Sequence, residues 1–129
     1  MVDYLASLEM SAFVSDYDHN APNADHLRKT HFALYEAIRA AHPDIPYIMI
    51  TRPDVLGRKE ECEERKAVIY ESYQKALANG DKHVRLIDGK MLFGDTDRDL
   101  CTVDGSHPND LGFLRMADIV TAQLKEMLP

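Results

Sequence analysis

The sequence predicts an α/β fold, a parallel sheet with helices packed on its faces. Two observations lead there. Short apolar runs rich in β-branched and aromatic residues alternate with longer segments of helical period, and the resulting order is β-α-β-α-β-α. Alternation of that kind implies right-handed crossovers, because parallel neighbours cannot be joined by hairpins.

The strands are expected at Ala12 to Tyr17, Tyr47 to Thr51 and Val84 to Asp88, each apolar and bounded by turn residues. The first helix carries Leu27, His31, Leu34, Ile38 and Ala41 at helical spacing and should end before Pro43. The second shows Cys62, Ile69, Tyr73, Ala76 and Leu77 on one face. Glu60, Glu61, Glu63 and Glu64 stand near its start, where the helix dipole favours negative charge, and Asn79-Gly80 closes it. A last helix begins at Asn109 or Asp110, either of which can cap it, with Phe113, Met116, Ala117, Val120, Leu124 and Met127 along one face. The longest irregular stretches are Arg52 to Lys59 and Gly89 to Pro108.

A chain of 129 residues, 45% hydrophobic and 29% charged, is of globular composition and the size of one domain, so residues 1–129 are read as one unit. Fifteen Lys and Arg against 22 Asp and Glu give a net charge of -7, which argues against nucleic acid as a partner. No apolar run is long enough for a membrane span, and the first ten residues lack the pattern of a signal peptide. Localisation is left open, with the cytoplasm as default, because a targeting segment upstream of Met1 would not be seen. Cys62 and Cys101 are read as free thiols.

Open parallel sheets bind ligands beyond the carboxyl ends of their strands, so chemistry is expected at Asp16 to Asn23, Thr51 to Asp54 and from Asp88 onward. The strongest local signal is Val103-Asp-Gly-Ser-His-Pro-Asn-Asp-Leu-Gly112, directly before the last helix. Gly105 permits a tight turn and Pro108 biases His107 away from helical dihedrals, so Asp104 and His107 can face one cleft. A carboxylate that accepts the imidazole Nδ1 proton fixes the tautomer and leaves Nε2 as a base. The competing reading is a turn-capping aspartate beside a surface histidine.

The segment Asp104-Gly-Ser-His107-Pro-Asn-Asp-Leu-Gly112 resembles the last sequence block of the SGNH hydrolases, the GDSL-type lipases and acylhydrolases. Phe13-Val-Ser-Asp-Tyr-Asp-His-Asn20-Ala-Pro is similar to the third block of that family, and Ile50-Thr-Arg-Pro-Asp54 and Ile87-Asp-Gly-Lys-Met-Leu-Phe-Gly94 resemble connecting segments of one bacterial subgroup. The resemblance implies a three-layer, flavodoxin-like sandwich and an ester hydrolase with His107 as base, Asp104 as its orienter and Asn20 in the oxyanion hole. It implies no metal and no organic cofactor. The substrate expected is a small ester, with a lean toward an acylated carbohydrate.

The sequence departs from the family pattern in three places. The Gly-Asp-Ser block that supplies the nucleophile is missing, as is the glycine of the second block, and the third block reads Asp18-His-Asn-Ala21 rather than Gly-x-Asn-Asp. Ser106 is poorly placed beside His107, and Ser7, Ser11, Ser15 and Ser72 do not sit at a strand-to-helix elbow. The expectation is therefore a partial domain, without its N-terminal strands, whose first strand becomes an exposed edge that promotes self-association. The alternative is a non-catalytic remnant or a small-ligand binding module. Arg52 is a candidate for binding a substrate oxygen or acid group, set against a salt bridge to Asp54 or another acid. A metal site built from Asp16, Asp18, His19, Asp104 and His107, and a calcium loop at Asp95 to Asp99, are the weaker alternatives.

Overall fold

The computed structural model describes residues 1–53 and 59–128. Its elements run α1 (Val2–Ala6), β1 (Phe13–Ser15), α2 (Ala24–Ala41), β2 (Tyr47–Ile50), α3 (Lys59–Ala78), β3 (Val84–Ile87) and α4 (Asp110–Met127). The expected order holds, with shorter strands and with the five-residue α1 added in front, packed on α2. The strands form one parallel sheet in the order β1-β2-β3, with Phe13 opposite Tyr47 and Tyr47 opposite Val84.

The pleat sorts the core into two faces. Tyr47, Met49 and Val84 pack with Leu27, Tyr35 and Ile38 of α2 and Val68, Ile69 and Ala76 of α3. Ile48, Ile50 and Ile87 point the other way, to Leu92, Phe93, Cys101 and the inner side of α4. Three layers result. β2 is buried at all four residues, which is why it reads as an unbroken apolar run, whereas β1 is an edge with Val14 38% exposed.

The helix ends follow the punctuation in the sequence. The Asn23 side chain accepts the His26 N–H at the start of α2, and α2 stops before Pro43. α3 closes in a Schellman motif, with Gly80 at φ +85, its N–H on the Leu77 carbonyl and the Asp81 N–H on the Ala76 carbonyl. Asn109, of the two candidates, caps α4 by accepting the Gly112 N–H at 3.0 Å.

Two helix faces differ from expectation. On α4, Phe113 and Ala117 are exposed, and the packed side is Met116, Ile119, Val120, Leu124 and Met127. On α3, Leu77 is exposed while Arg65 and Ser72 are buried. Ser72 returns its hydroxyl to the Val68 carbonyl, and Arg65 serves the loop after β1. Both cysteines are buried and free.

Candidate active site

The loop after β1 is held from beneath. Asp18 opens a 3-10 turn, Asp18–Asn20, and is fully buried. Its carboxylate accepts the Arg52 main-chain N–H at 2.9 Å and lies 3.4 Å from Arg65 Nη1. Arg65 also donates to the main-chain carbonyls of Asp18 at 2.8 Å and Ala21 at 3.0 Å, so α3 grips the turn on both sides of Asn20. A buried charge needs a partner of this kind, and the arrangement presents Asn20 at the surface on a fixed backbone.

The ends of β2 and β3 are tied to one another. Thr51, buried, accepts the Gly89 N–H on its hydroxyl at 2.7 Å. Gly89 is packed so closely on the Arg52 carbonyl that a Cβ there would collide with it. Asp88 is engaged by Lys66 at 2.6 Å and by the Tyr70 hydroxyl at 3.2 Å, so Tyr70 does more than pack. Burial pushes the Asp88 carboxyl up, but the Lys66 and Lys90 donors outweigh it and the net shift is downward.

The Asp104–His107 loop is a small antiparallel turn closed by a Thr102–Pro108 bridge and by the Val103 N–H on the His107 carbonyl at 2.9 Å. Gly105 takes the tip at φ +82, where other residues are strained. Gly112 seats the first turn of α4 against the Cys101 carbonyl, leaving no space for a Cβ. Within this frame Asp104 Oδ1 accepts the main-chain N–H groups of Ser106 at 2.9 Å and His107 at 2.8 Å, and Oδ2 lies 2.7 Å from His107 Nδ1. These donors, the His107 N–H first, hold the Asp104 carboxyl down at about 2. Among the described residues Asp104 is the one hydrogen-bond partner of the His107 ring. Nε2 faces solvent on a side chain that is 78% exposed.

His19, next to Asn20, joins these loops electrostatically. Its pKa is lowered by burial, then by the charge of Arg52, with Arg65 and His107 acting in the same direction and Asp18 against them. The loop after β1 and the end of β2 are thus joined through Asp18, and the Asp104–His107 loop lies within electrostatic reach of His19. Asp16, at the end of β1, has its carboxyl raised by burial and by Asp18. Arg52 is buried, with Nη1 3.7 Å from Glu61 Oε1, so its acidic neighbour is Glu61; Asp54, the partner considered from sequence, lies outside the described residues.

The sequence reading missed Asp18 and Arg65 as the supports of this site. Their pairing spans 47 positions and has no local signature. Among the described residues no group of three or more His, Cys, Asp or Glu is placed to hold a metal, including the set Asp16, Asp18, His19, Asp104 and His107 and the run Asp95 to Asp99. No described helix is long and apolar enough to cross a membrane.

The family model of the GDSL-like lipases and acylhydrolases matches residues 1–125. The chain belongs to that family. Among solved structures, a GDSL-like lipase from Bacteroides ovatus superposes with a TM-score of 0.84 at 27% identity, over 98% of this chain and 38% of that one. A salicylyl-acyltransferase, SsfX3, from a tetracycline biosynthetic pathway gives 0.73 at 13% identity over 97% of this chain and 40% of that one. A family two carbohydrate esterase from Clostridium thermocellum gives 0.70 at 16% identity over 94% and 37%. The last two likenesses bear on the fold alone. This GDSL-like chain thus spans about two fifths of the length of the solved relatives it matches. No curated protein matches it.

Proposed function

We propose that these 129 residues are the oxyanion and base portion of a serine-type ester hydrolase. His107 is the base, Asp104 its orienter and Asn20 an oxyanion donor. The serine lies on a segment outside the chain. The observation that carries this reading is the 2.7 Å contact between Asp104 Oδ2 and His107 Nδ1, with the second carboxylate oxygen locked by two main-chain N–H groups. That geometry holds one imidazole tautomer and leaves Nε2 to take a proton from an incoming hydroxyl. Membership of an acylhydrolase family supports the reaction class.

The chain's own serines support an external nucleophile. Ser15 and Ser72 are buried, Ser7 turns back to the Tyr4 carbonyl, and none is hydrogen-bonded to His107. The open edge of β1 supports a place for the missing element. A groove of about 330 Å³ runs along it from Met1, Leu5 and Phe13 to Asp16 and Asn20, apolar except at the Asn20 end. A strand laid parallel to β1 in that groove would end beside Asn20, where a nucleophile is required. The carbohydrate esterase and a peptidoglycan O-acetylesterase among the fold neighbours support a small acyl ester of a carbohydrate as the substrate to try first.

The test is turnover of p-nitrophenyl acetate by the 129-residue chain and by the chain extended at its N-terminal side with a segment carrying Gly-Asp-Ser. The chain alone should be inactive and the folded, extended chain active. His107→Ala should then lower turnover by about 10³-fold or more. A folded, extended chain without turnover would leave the alternative, a binding module that keeps the cleft without the reaction.

A further inference from the structure

The loop that carries Asp104 and His107 leaves the body of the protein at Cys101 and returns at Asn109. Asn109 closes its mouth with four bonds. The main-chain N–H donates to the Cys101 carbonyl at 3.0 Å, and Nδ2 donates to the Leu100 carbonyl at 2.7 Å. Oδ1 accepts the Gly112 N–H at 3.0 Å, and the main-chain carbonyl accepts the Phe113 N–H at 2.8 Å. A side-chain helix cap needs only the Oδ1 bond. The Nδ2 bond is a second task for the same side chain, because it ties the start of α4 to the 3-10 turn Arg98–Cys101 from which the loop departs.

That tie bears on the base. The bonds that join Asp104 to His107 lie within the loop, as does the bond from the Val103 N–H to the His107 carbonyl. They fix which ring nitrogen carries the proton, but not where the loop as a whole points. Its direction is set at the mouth, where the Cys101 carbonyl meets the Asn109 N–H and Gly112, and where the Leu100 carbonyl meets Nδ2. A general base works only within hydrogen-bond reach of the proton it takes, so a tilt of the loop costs rate even when the Asp104–His107 pair is intact. We propose that Asn109 is a positioning residue for His107: its Nδ2 bond to the Leu100 carbonyl holds the pose of the loop, a role separate from the cap. The proposal rests on the reading of His107 as the base and adds a residue to that site. Substitution separates the two roles. Asn, Asp and Ser cap helices about equally well. Asp keeps the acceptor and adds a charge that a helix start favours, but has no donor for the Leu100 carbonyl. Ser caps without setting a charge against that carbonyl, and its one oxygen cannot fill both positions.

The experiment follows the 129-residue chain by heteronuclear NMR. In the wild type, one Asn109 side-chain N–H should exchange with water about 10-fold more slowly than the side-chain amides of exposed asparagines, the order expected of one hydrogen bond. Asn109→Asp and Asn109→Ser should stay within about 5 °C of the wild-type Tm and keep the Gly112 amide protected, because the cap survives. Both should also keep the Nδ1–H tautomer of His107. Both should nevertheless change the residual dipolar couplings of the Ser106 and His107 main-chain N–H groups relative to those of α4. Asn109→Ala should change the same couplings and lose the Gly112 protection as well. If Asn109→Ala does not fold, the two capping variants decide. Wild-type couplings in both capping variants, or fast exchange of both Asn109 side-chain protons in the wild type, would overturn the role. Couplings that change across the whole molecule together with a lowered Tm would make Asn109 a stability residue only, and overturn it too. The two readings fail separately. An extended, folded chain without turnover removes His107 as a base and leaves the couplings to judge the pose, whereas turnover with unchanged couplings keeps the base and removes Asn109.

Discussion

His31 makes the stability of this fold sensitive to acid. It is fully buried on α2 and stacked on Tyr17 with ring centroids 6.4 Å apart, and neither ring nitrogen has a hydrogen-bond partner among the described residues. Burial lowers its pKa to about 4 from an ordinary 6.5. The unfolded chain therefore binds a proton between pH 6.5 and 4 that the folded chain refuses, and stability falls as the pH drops through that window. At about 1.36 kcal/mol per pKa unit, the full effect is about 3 kcal/mol, complete near pH 4 and absent above pH 7. His31→Leu removes the titration and two unpaired nitrogens while nearly conserving volume. Urea unfolding followed by circular dichroism at pH 7, 6, 5 and 4 should show the wild type losing about 3 kcal/mol more than the variant across the series. At pH 7 the variant should be as stable as the wild type or about 1 kcal/mol better. Parallel curves for the two proteins would refute the assignment of a buried neutral imidazole.

Other consequences are as direct. Gly112→Ala places a methyl group against the Cys101 carbonyl and should cost about 2 kcal/mol or more, read as a lowered Tm, with the His107 amide resonances displaced. Asp18→Asn removes one partner of an ion pair in which Asp18 is fully buried and Arg65 4% exposed, and should cost about 3 kcal/mol in urea unfolding, with a loss of order at Asn20. The free edge at β1 should make the isolated chain self-associate, and Val14→Lys should shift sedimentation toward monomer. A wild-type chain that sediments as a sharp monomer would contradict that expectation.

The sequence announced those parts of the molecule whose causes are local. β2 could be read because a strand covered on both faces must be apolar throughout, and the helix ends because Asn23, Asn109 and Gly80 act within a few residues of themselves. The Asp104–His107 pair was legible for the same reason, three positions apart on a loop stiffened by Gly105 and Pro108. What escaped is long-range. Arg65 stands on the buried face of α3 and spoils its apolar stripe, yet it anchors the turn that carries Asn20, and only the crossover that brings α3 beneath the turn after β1 reveals this. The face of α4 was misread at Phe113 and Ala117 because an apolar residue at helical spacing does not say whether the neighbouring layer reaches it. Arg52 was expected at the cleft, but its pairing with Glu61 again needed α3 in place.

The claim that the base and oxyanion groups are here while the nucleophile is elsewhere is tested most directly by covalent labelling with a fluorophosphonate probe. The account predicts no label on the 129-residue chain, one label on the added serine of the folded chain extended with Gly-Asp-Ser, and its loss in His107→Ala. A label on any serine of the 129 residues, or labelling of the extended chain that His107→Ala leaves unchanged, would contradict it.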